Sequence, residues 1–242
     1  MDRSVQALIE AGVPDGLADT VTALVRPCVI AESERCDEGG IPVGGSKFGG
    51  RPDVPAGFEW PMAGRHPCWF IAQVRLADLR PFDTGYRLPR AGVLSFFYHD
   101  TDGAPGRQPR ILLLPTTRLR RIDIVPDERY GGRAFHDENF PAQTLRFAQG
   151  YTLPGDPTGF RLTAAQRRRW DRSAVFDFKA EFNEPVVIAD HQLFGHPASD
   201  SPPRGHELVA RLGLGNQYTF FVPNGAVAAR DFSRPRVILE CS

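Results

Sequence analysis

The chain has 242 residues, of which 41% are hydrophobic, and its 29 basic and 29 acidic residues give a formal net charge of zero. This length is sufficient for one large domain or for two small lobes. The charge balance argues against a dedicated nucleic-acid-binding or membrane-surface protein, because such proteins usually carry a clear excess of positive charge.

The N-terminal residues 1–27 predict a helical hairpin. Ser4 can cap a helix that ends at Gly12, and Pro14 can open a second helix that Pro27 ends. The start of the chain lacks the basic and apolar regions of a signal peptide. No apolar run approaches the roughly 18 residues that a membrane-spanning helix needs. We therefore expect a cytoplasmic protein without a membrane-bound part.

The remaining residues, 28–242, predict a single mainly β domain. Apolar side chains alternate along residues 69–76, and residues 92–98 are apolar on both faces. Since helices do not alternate with the strands, we expect a mainly antiparallel sheet, with one late helix that begins at Thr163. The predicted strands are 29–31, 69–76, 92–98, 111–114, 122–125, 145–153, 175–182, 185–190, 217–222 and 236–240.

A faint internal repeat runs through this domain. The segment CWFIAQVRL, which begins at Cys68, is followed by GVLSFFY, and HELVARLGL, which begins at His206, is followed by NQYTFFV. Both pairs consist of one strand pattern and then an aromatic strand that contains Phe-Phe. We predict an antiparallel β roll of two related halves, at about residues 41–125 and 175–242. Two short matches leave open whether the repeat is a true duplication.

The stretch of residues 41–61, IPVGGSKFGGRPDVPAGFEWP, is the most distinctive part of the chain. Its four central glycines permit positive φ angles and the close approach of a ligand or of another backbone segment. Lys47 lies between them, and it is one of only two lysines in a chain with 27 arginines. An ammonium group is compact whereas a guanidinium is wide and planar, so Lys47 suits a position where only the slim group fits.

Two interpretations of this loop remain open. In the first, the loop from Gly44 to Gly50 binds a small ligand or an anion, and the candidate binding residues are Ser46, Lys47, Gly49 and Gln73. In the second, the loop is a structural crossover in which Lys47 pairs with a carboxylate.

Known catalytic motifs do not fit the sequence around Ser46. A phosphate-binding loop requires G-x-x-x-x-G-K-[ST] before a helix, and a nucleophile elbow requires G-x-S-x-G. A serine–lysine pair normally has S-x-x-K spacing, whereas Ser46 and Lys47 are adjacent and point to opposite faces if the segment is extended. We predict no catalytic residue, and an enzyme is the less favoured class.

Metal and nucleic-acid sites are not indicated either. None of the four cysteines has C-x-x-C spacing, and we expect reduced thiols. His191 and His196 lie close together, but a metal site needs three or four convergent ligands, which the sequence does not supply. We predict no metal and no cofactor. The basic run Arg118, Arg120 and Arg121 is interpreted as a solvated strand edge.

Three segments resemble the YwqG-like family of bacterial proteins of unknown function. They are SKFGGRPDVPAGFEWP from Ser46, PCWFIAQVRLADL from Pro67 and PRAGVLSFFYHD from Pro89. The later GYTLPGD, HQLFGHP and the terminal ILECS are similar more loosely, and the resemblance covers the chain after about Pro27. The family's second half usually has an acidic Asp-Ser-Asp segment and a Trp-Gly-Asp, which are absent here.

The resemblance implies a mainly β, roll-like fold built from two related halves. It implies no established enzymatic activity, and it identifies no catalytic residues. Some members of the family lie near bacterial toxin systems, which is consistent with an interaction or immunity role. We therefore expect a protein-binding or interaction module with a protein or peptide partner, and the alternative is a ligand-binding protein or enzyme with its site at the glycine-rich loop.

Overall fold

Short strands make up most of the regular structure in the computed structural model, which describes residues 3–14, 16–100, 108–126, 140–154, 163–169, 172–197, 202–213 and 216–240. The strands are β1 (Arg26–Arg35), β2 (Lys47–Phe48), β3 (Asp53–Val54), β4 (Met62–Ala63), β5 (His66–Pro67), β6 (Trp69–Arg75), β7 (Val93–His99), β8 (Gln108–Leu114), β9 (Arg120–Arg121), β10 (Gln143–Thr152), β11 (His191–Leu193), β12 (His206–Leu212), β13 (Gln217–Pro223) and β14 (Arg236–Glu240). The α-helices are α1 (Arg3–Gly12), α2 (Ala18–Thr22), α3 (Ala164–Arg169), α4 (Arg172–Val187) and α5 (Ala226–Ala229), and two 3₁₀ turns span Glu38–Gly40 and Leu76–Leu79. The predicted mainly β fold is confirmed.

Ten of these strands form one antiparallel sheet with the order β14-β13-β12-β11-β1-β10-β2-β6-β7-β8. At its centre, β1 and β10 pair along their whole length, from Arg26 opposite Thr152 to Arg35 opposite Gln143. The two edge strands, β8 and β14, lie in contact with each other. The sheet is therefore nearly closed into a barrel, and near-closure protects edges that would otherwise be open to pairing with other chains.

The sheet consists of two half-sheets that match strand by strand. Moving outward from the centre, the first half-sheet contains β10, β2, β6, β7 and β8, and the second contains β1, β11, β12, β13 and β14. Both β6–β7 and β12–β13 have a register shift at the same place, after Phe70 and after Leu208 respectively. The backbone N–H of Gly49 donates to the carbonyl of Ile71, and that of Phe194 donates to the carbonyl of Val209. Equivalent residues therefore occupy equivalent positions in the two half-sheets.

The turn after the second strand of each half-sheet keeps its backbone conformation and one Gly and one Pro, since Gly50 and Pro52 correspond to Gly195 and Pro197. Residues 46–52 read SKFGGRP and residues 191–197 read HQLFGHP. Gly49 and Gly50 have φ angles of 65° and 66°, and their counterparts Phe194 and Gly195 have φ angles of 62° and 75°. The left-handed backbone of this turn is thus kept even where a phenylalanine replaces the glycine, at a conformational cost.

The first strand of each half crosses to the other half-sheet. In chain order β1 precedes β2, β6, β7 and β8, yet it pairs with β11 of the second half-sheet. Likewise β10 precedes β11 to β14, yet it pairs with β2 of the first half-sheet. The two halves are therefore interlocked by an exchange of strands.

The principal core is shared by both half-sheets. The equivalent residues Phe96 and Phe220 contact each other in it, with ring centroids 5.2 Å apart. A second apolar cluster joins α1 and α2 to α4. The bare Cα of Gly12 makes room there for Phe178, because a Cβ at Gly12 would lie 2.5 Å from that ring.

The strands predicted at residues 175–182 and 185–190 are wrong. Residues up to Val187 belong to α4, in which Val175, Phe178, Phe182 and Val186 are buried at helical spacing. The alternating residues suggested a strand, but Val175, Phe178 and Phe182 also follow helical spacing, and the intervening Lys, Ala and Glu favour a helix. Two other predictions are corrected. The strand predicted at residues 29–31 is longer, because β1 extends through Arg35, and the described residues 122–125 form no strand.

Candidate functional site

Lys47 belongs to β2, and its side chain lies on the outer side of the first half-sheet. The chain before and after β2, from Glu38 to Gly45 and from Gly49 to Val54, surrounds this side chain. Lys47 pairs with Thr144 of β10 on one side and with Gln73 of β6 on the other. Its side chain is 0% exposed, and its Nζ lies 3.1 Å from Glu38 Oε1 and 3.4 Å from Asp53 Oδ2. The single lysine of the glycine-rich loop is thus fully enclosed between two carboxylates.

Asp53 is the residue that joins most of the surrounding groups. Its Oδ2 accepts hydrogen bonds from the Gly44 N–H at 2.9 Å and from Gln73 Nε2 at 2.8 Å. Its Oδ1 accepts from Arg121 Nε at 2.8 Å. Its own N–H donates to Gln73 Oε1 at 2.9 Å. The carboxylate therefore fastens the loop to β6 and to β9.

Glu38 closes the cluster from the other side. It accepts hydrogen bonds from the Arg51 N–H at 2.6 Å and from Arg51 Nε at 2.9 Å. Arg121 donates to the carbonyls of Glu38 and Ile41, at 2.6 and 2.9 Å. We call Glu38, Lys47, Asp53, Gln73 and Arg121 the Lys47 cluster.

The glycines of the loop are required by close packing. A Cβ at Gly49 would collide with the carbonyl oxygens of Phe140 and Pro141, and a Cβ at Gly50 would collide with the Glu38 carboxylate. Both residues also have positive φ angles, which disfavour other side chains. These glycines allow the loop to lie against the segment that leads into β10 and against Glu38.

Ser46 is bonded away from the lysine. Its hydroxyl donates to Asp78 Oδ2 at 2.7 Å and accepts from the Arg75 N–H at 2.9 Å. Of the four predicted binding residues, the structure therefore brings Lys47 and Gln73 together in the cluster, places Gly49 against Ile71 and Phe140, and gives Ser46 separate partners.

Burial and pairing have opposite effects on the charges in the cluster. Burial lowers the pKa of Lys47 despite the opposing fields of Asp53 and Glu38. Burial by itself would raise the pKa of Asp53, but hydrogen bonds from Arg121 and Gly44 and the Lys47 charge outweigh it, so this pKa lies below its usual value. The pKa of Glu38 is lowered in the same way, mainly by hydrogen bonds from Arg51. The acids therefore remain ionised at neutral pH.

Sequence reasoning missed Glu38, Asp53 and Arg121 as members of the cluster. Arg118 and Arg120 are exposed, but Arg121 is largely buried, so its interpretation as part of a solvated strand edge is wrong. Because strands alternate between faces, the neighbours Arg120 and Arg121 point in opposite directions. This alternation in the sequence could have indicated that one of the two arginines is buried while the other is exposed.

At the equivalent positions of the second half-sheet, other residues replace those of the Lys47 cluster. Gln192 stands in the position of Lys47, and Arg211 in that of Gln73. Arg211 is 3% exposed and donates to the carbonyls of Val186 and Ala189 at the end of α4, at 2.5 and 3.0 Å. Positive charge at a helix C-terminus is favourable. The first half-sheet thus holds a loop on its outer face, and the second holds a helix.

The two neighbouring histidines are used in packing. His191 is 1% exposed, stacks on Phe48 at a centroid distance of 4.9 Å, and accepts a hydrogen bond from the Gly213 N–H on Nδ1. His196 Nε2 contacts the Leu24 carbonyl at 2.9 Å, which assigns the proton to that nitrogen. Among the described residues, no group of three or more His, Cys, Asp or Glu side chains could hold a metal ion. Cys28, Cys36 and Cys68 are free thiols, and Cys241 lies outside the described residues.

His191 leads to a pH prediction. Burial lowers the pKa of His191 to about 4, from an ordinary value of 6.5. The unfolded chain therefore takes up this proton near pH 6.5, and the folded protein only near pH 4. The stabilisation by neutral His191 is complete above pH 6.5 and is lost as the pH falls towards 4, by about 3 kcal/mol.

Urea unfolding at several pH values between 7 and 4 measures this effect. We expect His191→Gln to show a shallower fall in the free energy of unfolding than the wild type, and His206→Gln to follow the wild type. The burial of His196 also lowers its pKa to about 4, so part of the slope should remain in the His191 variant. An unchanged slope in His191→Gln would contradict the assignment.

The fold and the cluster define a mainly β protein of two strand-exchanged halves, in which the outer face of one half is closed by an ion-paired loop. A family model described as a domain of unknown function, DUF1963, matches residues 46–210, and the chain belongs to this family. The matched range stops within β12, although β1, β13 and β14 are part of the same sheet. A search of curated proteins found no match. None of the helices in the described residues is both long and apolar enough to cross a membrane.

Proposed function

We propose that this protein is a protein-binding module. The observation that supports the proposal is the exposure of large apolar side chains away from the glycine-rich loop. Phe176, Val187 and Ile188 are 54%, 50% and 75% exposed. Single exposed apolar residues are normal on a protein surface, but several on one element are typical of an interaction site.

The Lys47 cluster supports the same proposal because its contacts argue against the alternative, a ligand site at the glycine-rich loop. The ammonium is fully buried and its two carboxylate partners accept several further hydrogen bonds. A ligand that reached Lys47 would have to displace Asp53 or Glu38 and leave a buried charge unpaired, which costs several kcal/mol. The cluster is therefore better suited to holding the loop than to binding a small molecule.

The finer parts of the proposal come from the resemblance to the YwqG-like family. Because some of its members lie near bacterial toxin systems, a protein of such a system is one candidate partner. We propose the cytoplasm as the place where the contact forms.

A ligand or anion site at residues 44–50 is the second candidate function. The lowered pKa of Lys47 favours it, because such shifts are common at functional sites. Native mass spectrometry of the purified protein tests it, and a bound small molecule that is lost in Lys47→Met, after a check that the variant is folded, would support it.

The interaction proposal is tested by capture from the native cell extract followed by reconstitution. The expected result is a protein that, once purified separately, binds the full chain with defined stoichiometry in titration calorimetry. If no captured protein binds in purified form, the proposal is wrong.

A further inference from the structure

Helix α4 packs with one side against β10 of the sheet and against α1 and α2. Its buried side includes Phe182 and Asn183, and the Asn183 amide bonds to both the N–H and the carbonyl of Leu153, at 2.8 and 3.0 Å. Arg211 fixes the end of the helix. These hydrogen bonds fix the orientation of α4, and they therefore determine which residues lie on its solvent-exposed side.

The opposite face carries a line of exposed apolar residues. Phe176 and Val187 are eleven residues apart, which is about three helical turns, so they lie on the same side roughly 16 Å from each other. Ala180 lies between them on that side, and Ile188 directly follows the helix; both are exposed. This line spans about three helical turns, which is the length over which a docked amphipathic helix places its apolar anchors.

Acidic residues lie along one side of this line. Asp177, Glu181 and Glu184 are all exposed. Among the side chains described in residues 174–187, the basic one is Lys179, which is only 6% exposed, and its Nζ lies 5.2 Å from the centroid of the Phe176 ring. The solvent side of α4 is thus both apolar and negatively charged.

We infer that this surface, which we call the α4 face, docks a basic amphipathic helix of a partner protein. It consists of Phe176, Asp177, Ala180, Glu181, Glu184, Val187 and Ile188. Apolar residues of the partner contact the line from Phe176 to Ile188, and its lysines or arginines pair with the carboxylates along one side of the line. Charge complementarity selects this partner, because an acidic segment would be repelled. The inference rests on the proposed function and names its surface and the class of its partner.

The test is selection of a random 16-residue peptide library displayed on phage against the immobilised full-length protein. We expect enrichment of peptides with net positive charge and apolar residues at helical spacing. The most enriched peptide, made synthetically, should bind at least tenfold more weakly to Phe176→Ser and to the Glu181→Lys/Glu184→Lys variant. Its binding to the wild type should also weaken as salt is raised. Val43→Ser is the matched control, because Val43 is also 54% exposed but lies in the glycine-rich loop.

Three outcomes would overturn the inference: no enrichment, enrichment of peptides without positive charge, or equal affinity for the wild type and both α4 variants. Analytical ultracentrifugation provides a fourth, because self-association that is lost in Phe176→Ser would make a second copy of the chain the occupant. If a reconstituted natural partner binds the α4 variants as tightly as the wild type, the proposed function stands and the α4 face is not its surface.

Discussion

Replacing Asp53 by Ala should lower the free energy of unfolding by about 3–5 kcal/mol, because it removes one partner of a buried ion-pair network. Asp53 is 0% exposed, and its carboxylate contacts Lys47, Arg121, Gln73 and the Gly44 N–H. Without it, Glu38 is the one counter-charge within 4 Å of the buried ammonium among the residues that the structure describes. Chemical unfolding followed by circular dichroism at neutral pH measures the loss.

Asp123→Ala is the matched control for this experiment. Asp123 also pairs with an arginine, Arg51, but its side chain is 90% exposed. Exposed ion pairs contribute at most about 1 kcal/mol, so this variant should behave almost like the wild type. A loss of less than about 1 kcal/mol in Asp53→Ala would show that the cluster does not hold the loop.

Cutting the chain within residues 127–139 should yield two fragments that fold only together. The N-terminal fragment would carry β1 to β9 and the C-terminal fragment β10 to β14. The neighbours of β1 in the sheet are β10 and β11, both on the C-terminal fragment. Each fragment alone lacks the partners of its own first strand, so neither can complete its half-sheet.

Near-ultraviolet circular dichroism and sedimentation of the separate and mixed fragments measure this result. We expect a one-to-one complex that unfolds cooperatively, with the uncut protein as the reference. A folded homodimer of one fragment would contradict the expectation that the fragments fold only together, and it would show that a second copy of the same half can supply the missing strands. A folded monomer of either fragment would contradict it.

The sequence predicted those strands whose alternation is clear. Residues 69–76 and 217–222 match β6 and β13 closely, because a covered strand needs apolar residues at a period of two. Residues 175–182 show the limit of this argument. Their apolar residues contain both an alternating set and a set at helical spacing, and which of the two sets is buried depends on the neighbouring elements that cover them.

The candidate site was predicted in part for a similar reason. The contrast between one lysine and many arginines drew attention to Lys47, and the glycines indicated close packing. The carboxylate partners could not be assigned, because Glu38, Asp53 and Arg121 come together only through the pairing of β3 with β9 and the curl of the loop. The correspondence of SKFGGRP with HQLFGHP could not be predicted, because the two segments share only a Gly and a Pro and are aligned by two hydrogen bonds that the fold supplies.

The exchange of strands also sets an order of events during synthesis of the protein on the ribosome. β1 is complete at Arg35, but its partner β10 ends at Thr152, more than 100 residues later. At roughly 5–20 residues per second, β1 would wait on the order of 10 s before it could pair. We expect the apolar residues Val29 and Ala31 to be unpaired during that time, as they would be in a segment that chaperones for extended apolar chains could bind.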